Sequence, residues 1–152
     1  MKIKEMTLLS EEEYMQYKFL IPMLKDWWWL KTPSMVTDFV RVVQPNGDIS
    51  HKSCYGHCGG VRPVLKFDLE MADPLFWHKA ESLIGSKIKY GRCEWVVLDV
   101  KNNEIYALCN YLLEEKHFDD CDNIWEESKL KNWLETDTIE YIERLQKAFG
   151  EI

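Results

Sequence analysis

Several features that would assign this sequence to a specialised class of protein are missing. No stretch approaches the ~18–20 apolar residues that a helix needs to cross a bilayer. Residues 1–6 hold no apolar run before a small-residue cleavage site, so no secretory signal is predicted. Internal repeats and low-complexity linkers are absent from the sequence as well. These absences predict a cytoplasmic protein that does not associate with membranes.

The cysteines lack the pattern of a disulfide framework. Their number, five, is odd, and none of them forms a Cys-x-x-Cys pair. Because stable disulfides belong to secreted proteins, reduced thiols are the simplest interpretation.

An excess of basic residues is also missing. The chain carries 19 Lys and Arg against 26 Asp and Glu, a formal net charge of −7, and residues 114–127 hold seven acids but only Lys116 as a base. Nucleic-acid affinity comes largely from Lys and Arg that release condensed counterions, so direct nucleic-acid binding is disfavoured. One alternative function uses the acidity: a phage or mobile-element protein that inhibits a host nucleic-acid-binding protein by docking on its basic groove.

What the sequence does contain is enough apolar material for a well-filled core. Of the 152 residues, 46% are hydrophobic and seven are Trp. A chain of this length normally builds one hydrophobic core. We therefore expect a single domain over residues 1–152.

Helix signals occur near both ends of the chain. Ser10 and Glu13 form a capping-box pattern that predicts a helix to about Leu20. Ser128 has the character of a second N-cap. Further helices are predicted over 73–84, 128–134 and 138–149, the last followed by Gly150 at a C-cap position.

Runs of aromatic and β-branched residues predict strands between these helices. The two tightest turns are predicted at 44–48, which contains Pro-Asn-Gly, and at Asn102-Asn103. Residues 51–60 show no apolar period and contain three glycines, so they are predicted to be a loop. The pattern indicates an α+β fold with one twisted, mainly antiparallel sheet and helices at its flanks. The predicted strands cover 27–30, 36–43, a second hairpin arm that begins at Ile49, 61–69, 87–90, 93–100 and 104–109.

Two groups of motifs stand out along the chain. Trp28–Pro33 reads WWLKTP and Gly60–Leu65 reads GVRPVL; Gly91–Asp99 reads GRCEWVVLD and Trp125–Leu134 reads WEESKLKNWL. Together with LLSEEE at 8–13, they resemble an uncharacterised bacterial and phage domain family whose signature is WWLRSP followed by GVRPAL. That family is related to the C-type-lectin and formylglycine-generating-enzyme fold, so the resemblance implies a lectin-like scaffold.

The order of the motifs is reversed relative to the family, in which the Trp-Val-Leu half comes first. The resemblance therefore implies a circular permutation, with halves 1–70 and 84–152 joined by residues 71–83. Permutation is tolerated where chain termini lie close together. The alternative is an exchange of halves between two copies, so the expected state is a monomer or a swapped dimer.

The resemblance also implies which residues support the scaffold. Arg62, in the matching strand, is expected to hold backbone carbonyls or a carboxylate beneath the aromatic run, and Trp28, Trp95 and Trp133 are expected to be core anchors. The paired-cysteine copper site of the formylglycine-generating branch has no equivalent in this sequence. We therefore expect no enzymatic activity, no catalytic residue and no cofactor.

The predicted loop after residue 50 is the expected recognition surface. Loops on a rigid scaffold commonly carry binding function. The sequence therefore predicts a module that binds a protein partner, with contacts from His51, Lys52, Tyr55 and His57.

Two segments of the sequence contain residues that could bind a metal ion. His51, Cys54, His57 and Cys58 offer the four N or S donors that zinc prefers, which would make the chain a metal-dependent protein or enzyme. Against this, adjacent side chains such as His57 and Cys58 seldom face one ion. The acidic run at 119–123 lacks the alternating ligands and central glycine of a calcium loop, and it is interpreted as a solvated loop.

Overall fold

The computed structural model describes residues 2–68 and 81–149 and shows an α+β fold with two mainly antiparallel sheets. The prediction of one sheet is therefore wrong in number, although the fold class and the antiparallel character are confirmed. Leu69, Gly150 and residues 73–80 of the helix predicted over 73–84 lie outside the described residues.

Ten strands and three α-helices are described. The strands are β1 Lys2–Thr7, β2 Trp28–Pro33, β3 Phe39–Val43, β4 Ile49–Ser53, β5 Gly59–Val61, β6 Val64–Asp68, β7 Lys87–Tyr90, β8 Cys93–Lys101, β9 Glu104–Cys109 and β10 Glu114–Lys116. The helices are α1 Glu11–Tyr17, α2 Lys129–Trp133 and α3 Ile139–Phe149. The first sheet has the order β1-β6-β9-β8-β7, with all neighbours antiparallel. The second has the order β10-β5-β2-β3-β4, in which only the β2–β5 pair is parallel.

The predicted N-terminal helix begins with the capping box. Ser10 Oγ accepts a hydrogen bond from Glu13 N at 3.1 Å, and Glu13 Oε1 accepts one from Ser10 N at 2.9 Å. Two of the amides that a helix start leaves unpaired are thus satisfied. α1 passes into a 3₁₀ turn, Lys18–Leu20, which matches the predicted end of the helix.

The predicted hairpins are present in both sheets. Gly47 has a φ of +89° in the β3–β4 turn, a conformation that glycine adopts without a Cβ penalty. Asn102 and Asn103 have φ of 52° and 62° between β8 and β9. Left-handed geometry at both central residues is what a two-residue hairpin turn requires, and it makes the predicted β7–β8–β9 meander possible.

The predicted loop over 51–60 is wrong at both of its ends. His51 and Lys52 belong to β4, where they pair with Arg41 and Val40 of β3, and Gly59 begins β5. Main-chain hydrogen bonds to a neighbouring strand do not require an apolar side-chain pattern. The polar sequence at 51–53 therefore gave no signal for this part of β4. Only residues 54–58 connect the two strands.

Two described strands had no counterpart in the prediction. β1 pairs with β6 at one edge of the first sheet, and β10 pairs with β5 at one edge of the second. β10 consists of Glu114, Glu115 and Lys116 alone, residues that are depleted in strands.

The core consists of two apolar clusters separated by the sheets. Trp28 and Trp29, adjacent on β2, are 1% and 0% exposed and belong to different clusters. Successive side chains of a strand point to opposite faces, so β2 is buried on both sides, as predicted from its aromatic run.

The C-terminal helices complete the larger cluster. A π-helical turn, Leu134–Thr138, joins α2 to α3. These segments bury three residues in the same cluster as Ile3 of β1: Leu130, Leu134 and Ile142. No helix among the described residues is long and apolar enough to span a bilayer.

Candidate functional site

A half-buried indole, Trp27, lies at the centre of the surface that carries most of the predicted partner-binding residues. Lys52 Nζ lies 5.4 Å from the centroid of the Trp27 ring, and the His57 ring packs edge-on at 6.4 Å between centroids. Tyr55 is 55% exposed on the same connecting loop. We call Trp27, Lys52, Tyr55 and His57 the Trp27 surface.

The position of the Trp27 ring is fixed by a glycine beneath it. A Cβ atom at Gly59 would lie 2.3 Å from Trp27 Cζ3 and 2.6 Å from Trp29 Nε1, so only glycine fits there. Trp27 and Trp29 pack edge-to-face with their centroids 5.0 Å apart, and Trp29 Nε1 donates a hydrogen bond to the Lys116 carbonyl at 2.8 Å. The ring of Trp27 is therefore held rigidly by the second sheet.

His51 does not join this surface. It neighbours Lys52 on β4 and so points to the opposite face of the sheet. Its ring packs against Phe39 with centroids 5.0 Å apart, and its Nδ1 lies 2.7 Å from Ser34 Oγ. His51 is predicted to contact the partner together with Lys52, Tyr55 and His57 only if all four lie on one loop. The pairing of β4 with β3 instead places His51 on the other face of the sheet.

The four candidate zinc ligands are dispersed for the same reason. Cys54 is fully buried in the larger cluster, where burial raises the pKa of its thiol to about 11. His51 lies across the sheet, while Cys58 is exposed. Among residues 2–68 and 81–149, no three His, Cys, Asp or Glu side chains are grouped as a metal ion would require.

Arg62 is fully buried, and within the described part of the chain its hydrogen bonds go to carbonyl oxygens rather than to a carboxylate. Its Nε donates to the Cys109 carbonyl at 2.7 Å, and Nη1 donates to the Pro22 carbonyl at 2.9 Å. The guanidinium carbon lies 5.0 Å from the centroid of the Trp28 ring. Burial lowers the pKa of Arg62 to about 10, so the group is still charged at neutral pH.

Two other expected anchors, Trp95 and Trp133, differ in the extent of their burial. Trp95 is fully buried and donates its indole N–H to the Tyr90 carbonyl at 3.0 Å. Trp133 is only half-buried, with the Lys116 ammonium 4.6 Å from its ring centroid. The cation covers the ring face that α2 leaves accessible.

The acidic segment 114–127 combines structural and solvent-exposed carboxylates. Asp119 is buried and accepts hydrogen bonds from the backbone N–H groups of Cys121, Asp122 and Lys129. Although burial alone would raise its pKa, these bonds outweigh it and the pKa of Asp119 is lowered. Both carboxylate oxygens of Asp119 therefore accept hydrogen bonds from the backbone.

The exposed acids of this segment are at 114, 115, 120, 126 and 127. They form the surface that an inhibitor of a basic protein would use.

One pair of residues at the surface was not anticipated from the sequence. Cys58 Sγ lies 3.6 Å from Nδ1 and 3.8 Å from Nε2 of His117. The two residues border a cavity of about 420 Å³, with Lys129, Leu130 and Trp133 on its other wall. No sequence signal linked them, because they meet only through the pairing of β5 with β10.

Comparison of the chain with protein-family models, curated proteins and solved structures finds no match.

Proposed function

We propose that the chain is a non-enzymatic binding module that contacts a protein partner through the Trp27 surface. The observation that supports this proposal is a half-exposed indole, fixed from below by Gly59 and flanked by Lys52 and His57. Rigid aromatic side chains dominate binding energy at protein interfaces, because they bury a large area at little entropic cost. Tyr55 adds a second exposed aromatic ring on the loop that carries His57.

The scaffold, in this proposal, is a circularly permuted lectin-like domain. Its support is the way in which the two halves meet: β6 from the first half pairs along its whole length with β9 from the second. The first strand and the last helix also share a cluster, in which Ile3 and Ile142 are both buried. Chain ends that pack into one core are the geometry in which permutation is tolerated.

The test is affinity capture with matched variants. The immobilised chain is exposed to bacterial lysate and to lysate of phage-infected cells, next to a Tyr55→Ala/His57→Ala double variant. Trp27 itself is left intact because its ring also packs against the core. Phe19→Ala is the control, since Phe19 is 99% exposed on a separate segment.

We expect the natural chain and the Phe19 variant to retain the same protein and the double variant to lose it. Truncating central aromatic residues of an interface typically weakens binding by about 2 kcal/mol or more, which is roughly 30-fold. A protein that is retained equally by all three baits would exclude the Trp27 surface as its docking site.

A further inference from the structure

A thiol and an imidazole are brought together at the end of the β5–β10 ladder. The register pairs Gly59 with Lys116, so the residues one step further, Cys58 and His117, face each other just beyond the two strands. Cys58 Sγ lies 3.6 Å from the nearer ring nitrogen of His117. Both side chains are exposed. Backbone pairing therefore places a base next to a nucleophile that is 59 residues away in sequence.

The backbone that carries Cys58 is anchored. Gly59, the next residue, packs directly against Trp27 and Trp29 and tolerates no Cβ. On the opposite strand, the Lys116 carbonyl is held by the Trp29 indole. Since both neighbours of the Cys58–His117 pair are held in place, the backbone keeps the two side chains within reach of each other.

The cavity beside the pair can admit a small molecule. Its volume is about 420 Å³, and Lys129 and Trp133 are among the residues that line it. The lining carries charges of both signs, with the bases Lys116 and Lys129 beside the acids at 115, 119 and 120. Neither an anionic nor a cationic reagent is therefore excluded by charge alone.

Three of the other four thiols differ from Cys58 in ways that lower their reactivity. Cys54 and Cys109 are buried, and burial raises the pKa of these thiols to about 11 and about 12. The thiolate is the nucleophile, so such groups are inert in the folded protein. Cys121 is exposed like Cys58 but lies between Asp120 and Asp122.

We propose that Cys58 is a covalent modification site that undergoes exchange with low-molecular-weight disulfides in this cavity. His117 takes the proton of the Cys58 thiol, and the thiolate attacks one sulfur of the reagent. A new S–S bond forms between Cys58 and that half of the reagent as the original S–S bond breaks. The other half leaves as a thiolate and takes the proton back from His117. Cys58 is oxidised to a mixed disulfide and the leaving half is reduced to a thiol.

The test uses the full chain and its own second exposed thiol as the reference. Reduced protein is mixed with glutathione disulfide, which is anionic, or with cystamine, which is cationic, and adducts at Cys58 and Cys121 are timed by quenched mass spectrometry. We expect Cys58 to react about tenfold faster than Cys121 at pH 7, because the neighbouring imidazole can take the proton of the attacking thiol. This exchange reaction does not require the protein partner of the proposed function.

His117→Gln is the decisive variant. It should reduce the rate at Cys58 to that of Cys121, for both reagents, and leave the rate at Cys121 unchanged. A Cys58 that reacts no faster than Cys121, or one that is indifferent to His117→Gln, would overturn the proposal. A loss confined to one reagent would also overturn it, since His117 would then attract charge rather than accept a proton.

The comparison of the two exposed thiols in the natural chain needs no variant. Equal rates at Cys58 and Cys121 would contradict the role of His117 even if the His117→Gln protein failed to fold.

Discussion

Arg62 is a fully buried cation whose guanidinium binds two carbonyl oxygens and an indole ring in place of a carboxylate. One carbonyl belongs to Cys109 on β9 of the first sheet, the other to Pro22 in the segment before β2, and the indole is that of Trp28 on β2, so this side chain contacts both sheets. Its third nitrogen, Nη2, has no hydrogen-bond partner within the described part of the chain. An arginine in this setting stabilises the fold through geometry more than through charge pairing.

Replacing Arg62 by Ala should lower the free energy of unfolding by about 1–3 kcal/mol, because two buried carbonyls lose their donors. Arg62→Lys should restore only part of the lost free energy of unfolding, since one ammonium lacks the planar fork that reaches both oxygens. Urea unfolding followed by tryptophan fluorescence measures both changes.

Arg41→Ala is the matched control for this prediction. Arg41 forms a part-exposed ion pair with Glu11 at 3.4 Å, and such pairs typically contribute about 1 kcal/mol or less. Equal losses in the Arg41 and Arg62 variants would contradict the anchor role. An Arg62→Ala protein of unchanged stability that fails to bind a partner would instead place Arg62 in the binding site.

Among the structural elements, the β8–β9 hairpin shows how a local signal fixes a larger arrangement. Asn102 and Asn103 both adopt positive φ, which lets a two-residue turn follow the twist of the strands. This turn sets the register that pairs Lys101 with Glu104 and Asp99 with Tyr106, and an irregularity between Val97 and Asp99 then shifts the pairing so that Trp95 lies opposite Cys109. Since β9 also pairs with β6, the order of the first sheet depends on this turn.

Asn103→Val should therefore destabilise the protein by about 1–2 kcal/mol, because a β-branched residue resists the left-handed conformation. Asn103→Gly should have no destabilising effect, since Asn-Gly is a preferred pair in this turn. Thermal unfolding by circular dichroism compares the two. If Val and Gly gave the same midpoint, the positive φ would not be what limits this position.

For the whole molecule, the two halves of the chain form one structure rather than two independent ones. The first sheet combines β1 and β6 from residues 1–70 with β7, β8 and β9 from residues 84–152. The larger apolar cluster likewise combines Ile3 and Trp29 with Trp95 and Ile142. Neither half can bury its apolar surface without the other.

A chain in which residues 84–152 precede residues 1–70 through a short linker should fold. The new connection would run from the end of α3 to the start of β1, elements that already pack in one cluster, while the natural link at 71–83 would be cut. We expect cooperative two-state unfolding in urea, as for the natural chain.

The control for the reordered chain is a permutant opened inside β9, between Tyr106 and Ala107, which should not fold because β9 is central to its sheet. Loss of cooperative unfolding in the 84–152/1–70 chain would remove the support for permutation. Elution as a dimer with native fluorescence would favour the exchange of halves between two copies.

The sequence alone determined the elements whose cause lies within a few residues. The capping box at Ser10, the positive-φ turns at Gly47 and Asn102-Asn103 and the N-cap at Ser128 all occur where they were predicted. Each depends on the conformational preference or the side-chain hydrogen bonding of a short segment, which is encoded locally.

The tertiary structure decided what depends on segments far apart in the chain. The Glu114–Lys116 strand exists because β5 offers it backbone partners, and this pairing alone brings His117 to Cys58. The pairing of β4 likewise placed His51 on the opposite face of the sheet from Lys52, because neighbouring residues of a strand face opposite sides. Main-chain pairing is largely indifferent to side-chain identity, so these contacts leave no pattern in the sequence, and the site they create became visible only in the folded molecule.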